Sequence, residues 1–73
     1  MITVYVVINS QDGEVLGVYL SEDSAIGAII QYAVDNKLDF STRTFERSEY
    51  DPTYSYVTID GCEHTIVERQ LIN

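Results

Sequence analysis

Residues Tyr54 to Leu71, YSYVTI-DG-CEHTIVERQL, decide the fold. Two runs rich in β-branched and aromatic residues flank Asp60-Gly61, and Asp-Gly between such runs is a strong hairpin signal, because a type I′ turn needs positive φ at both central residues. A two-residue turn fixes the register, so Ile59 faces Cys62, Val57 faces His64 and Ser55 faces Ile66. Those residues share one face of the hairpin. Thr58 with Glu63, Tyr56 with Thr65 and Tyr54 with Val67 share the other, with Arg69 further along.

Upstream of this hairpin, Ser48 to Thr53 reads as a loop, since Pro52 cannot donate to a ladder and Asp51-Pro52 favours a turn. Phe40 to Arg47 alternates β-forming Thr42 and Thr44 with Arg43, Phe45 and Arg47. It is expected to be a strand with a weakly apolar inner face, near an edge of the sheet. Before it, Ala25, Ile26, Ile29, Ile30, Ala33, Val34 and Leu38 recur at helical spacing. Ser21 supplies an N-cap, Glu22 and Asp23 suit the positive end of the helix dipole, and Asn36 is expected to take the left-handed position at the C-terminus. Gly27, flanked by Ala25 and Ala28, is expected to let the helix approach the sheet closely.

At the start, Ile2, Val4, Val6 and Ile8 alternate with Thr3, Tyr5 and Val7, the pattern of a strand with one face well buried. Turn formers fill Asn9 to Gly13, and Glu14 to Leu20 is a second strand in which Gly17 marks a bulge or close packing. The order β-β-α-β-β-β gives an α+β two-layer sandwich: an antiparallel sheet of four to five strands with one helix on one face, in a single domain over residues 1–73.

Composition narrows the function. Twelve carboxylates against four Lys and Arg leave a net charge of −8, which argues against direct binding to nucleic-acid phosphates or anionic lipid. Cys62 is the only cysteine, so no intrachain disulfide forms and a reducing cytoplasm is expected. Neither a signal peptide nor a membrane span is expected from the short apolar run Ile2 to Ile8.

No catalytic constellation emerges. Cys62 and His64 alternate on one strand face and supply at most half of a zinc site. As nucleophile and base they lack an orienting third group. With Val57 and Ile59 on the same face, they read as a packed Cys and a hydrogen-bonded core His. The four glycines are scattered and form no phosphate loop. No enzyme activity, metal or cofactor is expected.

What remains is a surface of tyrosine and carboxylate: Glu49, Tyr50, Asp51, Tyr54, Tyr56, Asp60 and Glu63. Tyrosine brings large contact area and a polar tip at small entropic cost, which suits a protein interface. These seven residues are the expected partner-binding set, on the helix-free face.

The segment Val4-Tyr5-Val6-Val7, then Asp12-Gly13-Glu14-Val15-Leu16-Gly17-Val18-Tyr19, then Ser21-Glu22-Asp23-Ser24-Ala25 resembles small bacteriophage accessory proteins. In these a hairpin ending in Gly-Val and an aromatic residue leads into an acid-capped helix. The likeness covers about the first 35 residues and carries no functional residue with it. Some such proteins bind and disable host or defence proteins, anti-CRISPR proteins among them. The resemblance implies an acidic, protein-binding inhibitor in the host cytoplasm, directed at a basic surface of a host or defence protein, such as a nucleic-acid-binding one. The alternative is a self-associating structural or accessory module, a homodimer without inhibitory activity.

Overall fold

In the computed structural model, which describes residues 1–71, Asp60 and Gly61 sit at φ 52° and 76°. This is the pair of positive values a type I′ turn demands. The turn joins β4 (Tyr54–Ile59) to β5 (Cys62–Leu71) in the expected register, with Ile59 opposite Cys62, Val57 opposite His64 and Tyr54 opposite Val67. β1 (Ile2–Asn9) pairs with the free side of β5, and β2 (Val15–Tyr19) pairs with β1. A short β3 (Thr44–Arg47) pairs with β4. The result is one five-stranded antiparallel sheet in the order β2-β1-β5-β4-β3, crossed on one face by α1 (Glu22–Asp35). The α+β class and the single covering helix follow the sequence pattern.

Helix α1 begins where Ser21 Oγ accepts from the Ser24 amide at 3.1 Å, with Glu22 and Asp23 in the first turn. It ends in a Schellman motif. Lys37 N donates to Val34 O at 3.1 Å and Leu38 N donates to Ala33 O at 2.9 Å. The left-handed residue is therefore Lys37, at φ 57°, and not Asn36. Asn36 instead donates its side-chain amide to Tyr32 O at 2.8 Å. Placing the reversal at Lys37 turns Leu38 inward, where it packs against the core.

That core joins Ala25, Ile29 and Ala33 of α1 to Val7, Val57, Ile59 and Ile66 of the sheet. Burying each of the larger aliphatic chains contributes about 1.5–3 kcal/mol. The helix reaches the sheet through its alanines. Gly27 is exposed, and a Cβ built on it meets nothing within 4 Å, so the close approach expected there does not occur. Gly17 does have a close neighbour: a Cβ would lie 2.6 Å from the Tyr19 hydroxyl. It faces the register irregularity between Val7 and Ile8, as a bulge at this position requires.

Two further expectations change. Phe40–Thr42 is a 3-10 turn, and only Thr44–Arg47 is strand. Asp39 caps that turn by accepting from Ser41 N at 2.9 Å, and Thr42 Oγ1 accepts from Asp60 N at 3.1 Å, so Thr42 ties the turn to the hairpin tip. In β1, the odd residues Tyr5 and Val7 face the helix. The even residues lie on the other face, because the register places Val6 opposite Val67 and Val7 opposite core Ile66.

Chemical denaturation checks both backbone readings. Gly27→Ala is expected to raise stability by about 0.5–1 kcal/mol, because an exposed mid-helix glycine loses more chain entropy than alanine. Gly61→Ala is expected to lower it by roughly 1 kcal/mol or more, since its φ of 76° is left-handed. A destabilised Gly27→Ala would mean that the helix surface there is occupied after all.

Candidate functional site

The sheet face without the helix carries two adjoining hollows. One, of about 480 Å³, has Val6, Ile8, Thr65 and Val67 among its lining residues, with Tyr54 and Arg69 at one side and Asn9, Ser10 and Gly13 at the other. The first wall is held by Arg69 Nη2 donating to Tyr54 Oη at 3.1 Å, with the guanidinium 5.5 Å from the ring centroid. This is a hydrogen bond and a cation–π contact in one pair. The second wall is the β1–β2 turn, tied to β5 by the Ser10–Thr65 hydroxyl bond at 2.8 Å and by Ser10 N donating to Glu63 O at 3.2 Å.

The neighbouring hollow, of about 510 Å³, is lined by Thr44, Glu46, Tyr56, Thr58 and Glu63. Its two carboxylates come from β3 and β5, with β4 between them. No cation lines it. Beyond it, Glu46, Glu49, Tyr50 and Tyr56 meet in a third hollow, beside Arg47 and Ser48.

The seven residues singled out from the sequence therefore separate. Tyr54, Tyr56 and Glu63 line the helix-free face, and Glu49 and Tyr50 border it, Tyr50 being 97% exposed. Asp51 is occupied in its own loop, accepting from Thr53 Oγ1 at 2.6 Å and Thr53 N at 3.0 Å. The Thr53 bonds hold its carboxyl below the usual carboxylate range, with Arg69 adding a weaker pull. Asp60 is likewise engaged: its Oδ2 accepts from Asp39 N at 3.1 Å, which locks the hairpin tip to the 3-10 turn.

Composition alone passed over Val6, Ile8, Val67 and Glu46. For Val6 and Ile8 the signal lies in β1, where Val4 to Ile8 are all apolar or aromatic with no charge, the mark of a strand that meets apolar surroundings on both faces; Val67 and Glu46 carry no such mark. Val4 and Val67 are 6% and 4% exposed although they lie on the uncovered side, opposite Arg69 and Tyr54 respectively.

On the helix side stands a separate feature. His64 is 2% exposed, with the Tyr32 ring edge-on to it at a centroid distance of 5.4 Å. Contrary to expectation, it is not a hydrogen-bonded core histidine. Among the described residues neither Nδ1 nor Nε2 has a partner in hydrogen-bond geometry, the register having placed it opposite apolar Val57. Burial pushes the imidazole below its ordinary value, and the Cys62 backbone, near the ring but outside hydrogen-bond geometry, opposes this. Cys62 is half-buried and unpaired. Among the described residues no three of His, Cys, Asp and Glu converge on a metal-sized space, and no helix is long and apolar enough to cross a membrane.

Comparison with protein families, with curated proteins and with solved structures finds no match to this chain.

The His64 environment makes stability depend on pH. Its folded pKa lies below the unfolded value near 6.5, so the unfolded chain binds more protons in that interval. Stability is then full above about pH 6.5 and declines as pH falls toward the folded value, by up to about 1.4 kcal/mol per unit. Urea titrations at pH 7.5 and 5.5 are expected to show this loss in the wild type and not in His64→Leu. Equal losses in both proteins would assign the effect to carboxylates instead.

Proposed function

We propose that this domain binds another protein through its helix-free sheet face, and that the partner presents an apolar side chain flanked by Lys or Arg. The observation that carries this reading is the adjacency of an apolar hollow over Val6 and Val67 and an acidic one between Glu46 and Glu63, with Glu63 lining both. An aliphatic or aromatic anchor fits the first, and removal of its surface from water supplies about 25 cal/mol per Å². A cation fits the second, where two carboxylates stand without a positive neighbour in the wall. Tyr54 and Tyr56 contribute rigid aromatic area of the kind that dominates interfaces.

The charge of −8 adds steering toward a basic partner and speeds encounter at low salt. A nucleic-acid-binding protein offers such a surface, because carboxylates can occupy the positions of phosphates there. The resemblance of the first hairpin and helix to phage accessory proteins makes a bacterial host or anti-phage defence protein the partner to test first, with this domain as its inhibitor.

Self-association is the second reading, and edge strand β2 favours it. Val15 and Val18 are each 57% exposed and Leu16 is 40% exposed, with no charged residue from Val15 to Tyr19. An apolar edge of this kind can pair with a second copy.

Bait columns carrying the wild type, Val6→Lys and the double variant Glu46→Lys/Glu63→Lys separate the possibilities when challenged with bacterial host lysate. A specific partner is expected on the wild type alone, and it is expected to leave the column as salt rises from about 0.05 to 0.5 M, where the Debye length shrinks severalfold. Retention by all three baits would sink the sheet-face reading, and salt-independent retention its electrostatic part. Light scattering at micromolar concentration is expected to give a monomer; a dimer abolished by Val18→Lys would favour self-association.

A further inference from the structure

On the helix side of the sheet, Val7, Leu16, Tyr19, Ala28, Ile29 and Tyr32 surround a hollow of about 210 Å³, and His64 completes its wall. Apart from the imidazole and the two tyrosine hydroxyls, the lining side chains are hydrocarbon. An apolar cavity of about 150 Å³ is large enough to hold benzene. This one therefore admits a single six-membered ring with a small substituent.

The polar element of the site is incomplete. Among the described residues neither His64 nitrogen has a partner in hydrogen-bond geometry, the Cys62 backbone coming near without making a bond, and leaving a buried polar group unpaired costs about 1–3 kcal/mol. Such a group in a native core calls for something to satisfy it. A water molecule needs two to four polar partners, and here the imidazole and the two tyrosine hydroxyls are the only side-chain groups that could supply them, so a ring that also fills the hydrocarbon part of the hollow fits it better. A neutral imidazole has one N–H donor and one bare nitrogen acceptor, and a hydroxyl can bond either. A carboxylate would add buried negative charge with no cation in the wall, and an ammonium would face no carboxylate there, so both are disfavoured.

We propose that this hollow is a binding site for a small, neutral, monocyclic molecule of the phenol class, whose hydroxyl hydrogen-bonds the His64 imidazole. Entry needs a moving wall, because the ring nitrogens themselves do not touch solvent. Tyr32 and Leu16 supply it. They are 41% and 40% exposed, and Tyr32 covers His64 only by an edge contact, at an interplanar angle of 68°. Rotation of the Tyr32 ring about χ1 is the movement that entry calls for.

The site lies on the opposite side of the sheet from the protein-binding face, so its test is independent of that reading. The probe is phenol, titrated into isotopically labelled protein at pH 7.5, with toluene as the matched ring lacking a hydroxyl. Saturable shifts at Leu16, Ala28 and Tyr32 are expected, together with a shift of the His64 ring nitrogens for phenol but not for toluene. Phenol is expected to bind the wild type at least about tenfold tighter than toluene, the order expected when one buried polar group gains a partner. His64→Leu is expected to abolish that preference. Absence of saturable shifts, or equal binding of the two rings by the wild type, would overturn the proposal. So would ring nitrogens unmoved by phenol, which would assign them to bound water. Because the phenol–toluene comparison is made on the wild type, a His64→Leu protein that fails to fold does not weaken it.

Discussion

The turn at Asp60-Gly61 governs the molecule. Two successive residues in the left-handed region leave room for one register only, and that register decides which side of every strand faces the helix. Val57, Ile59 and Ile66 share one face because the turn has two residues; with three, Val57 and Ile59 would share a face with Val67 and no longer with Ile66. β1 inherits its orientation from β5, and β2 from β1. The turn is braced from outside, since both the Asp60 amide and its carboxylate are engaged by the 3-10 turn of residues 40–42 and its cap Asp39. A residue that looked like a recognition carboxylate is thus part of the device that sets the sheet.

The sequence was most legible where local chemistry leaves one choice. Asp-Gly between two β-rich runs, Ser21 ahead of two acids, and the three-and-four spacing of Ala25, Ile29 and Ala33 each name a single conformation. It was least legible where two conformations compete. Thr42 and Phe40 have strand character, but Asp39 offers the backbone a cap and the chain tightens into a 3-10 turn. β1 is apolar on both faces, so its alternation gives no parity until β5 supplies one. Gly27 looked like a contact because it lies between alanines, yet those alanines point elsewhere around the helix. His64 fell on the core face as expected, but whether a buried imidazole finds a partner depends on what the opposite strand and helix present. Both present hydrocarbon or an aromatic edge.

The same parity separates two kinds of surface. Residues in register with Val57 and Ile66 meet the helix, and among them only His64 and Ser55 are buried polar side chains. Residues in register with Tyr56 and Val67 have no helix over them among the described residues, only the β1–β2 turn and the Tyr54–Arg69 pair at their margins, and there apolar and acidic side chains alternate across strands. Acid on that face is local: Glu46 and Glu63 flank β4, whereas Asp51 and Asp60 are consumed by turns. Net charge therefore exaggerates how many carboxylates are free to meet a partner, and the position of each matters more than their number.

A single 14-residue helix spans roughly 21 Å at 1.5 Å per residue, enough to cross one face of five strands and no more. The described residues hold no second helix for the other face, so Val6, Ile8, Val15 and Val18 remain at least partly in water. Natural sheets with one wet face place polar residues at those positions, and this sheet does so on β3 and β4 but not on β1 and β2. Solubility alone would be served by threonine in all four places with no loss of strand propensity. Retaining valine and isoleucine beside a walled hollow leaves an apolar concavity next to two carboxylates with no cation in the wall, and the proposed binding of an amphipathic cationic surface rests on that pairing.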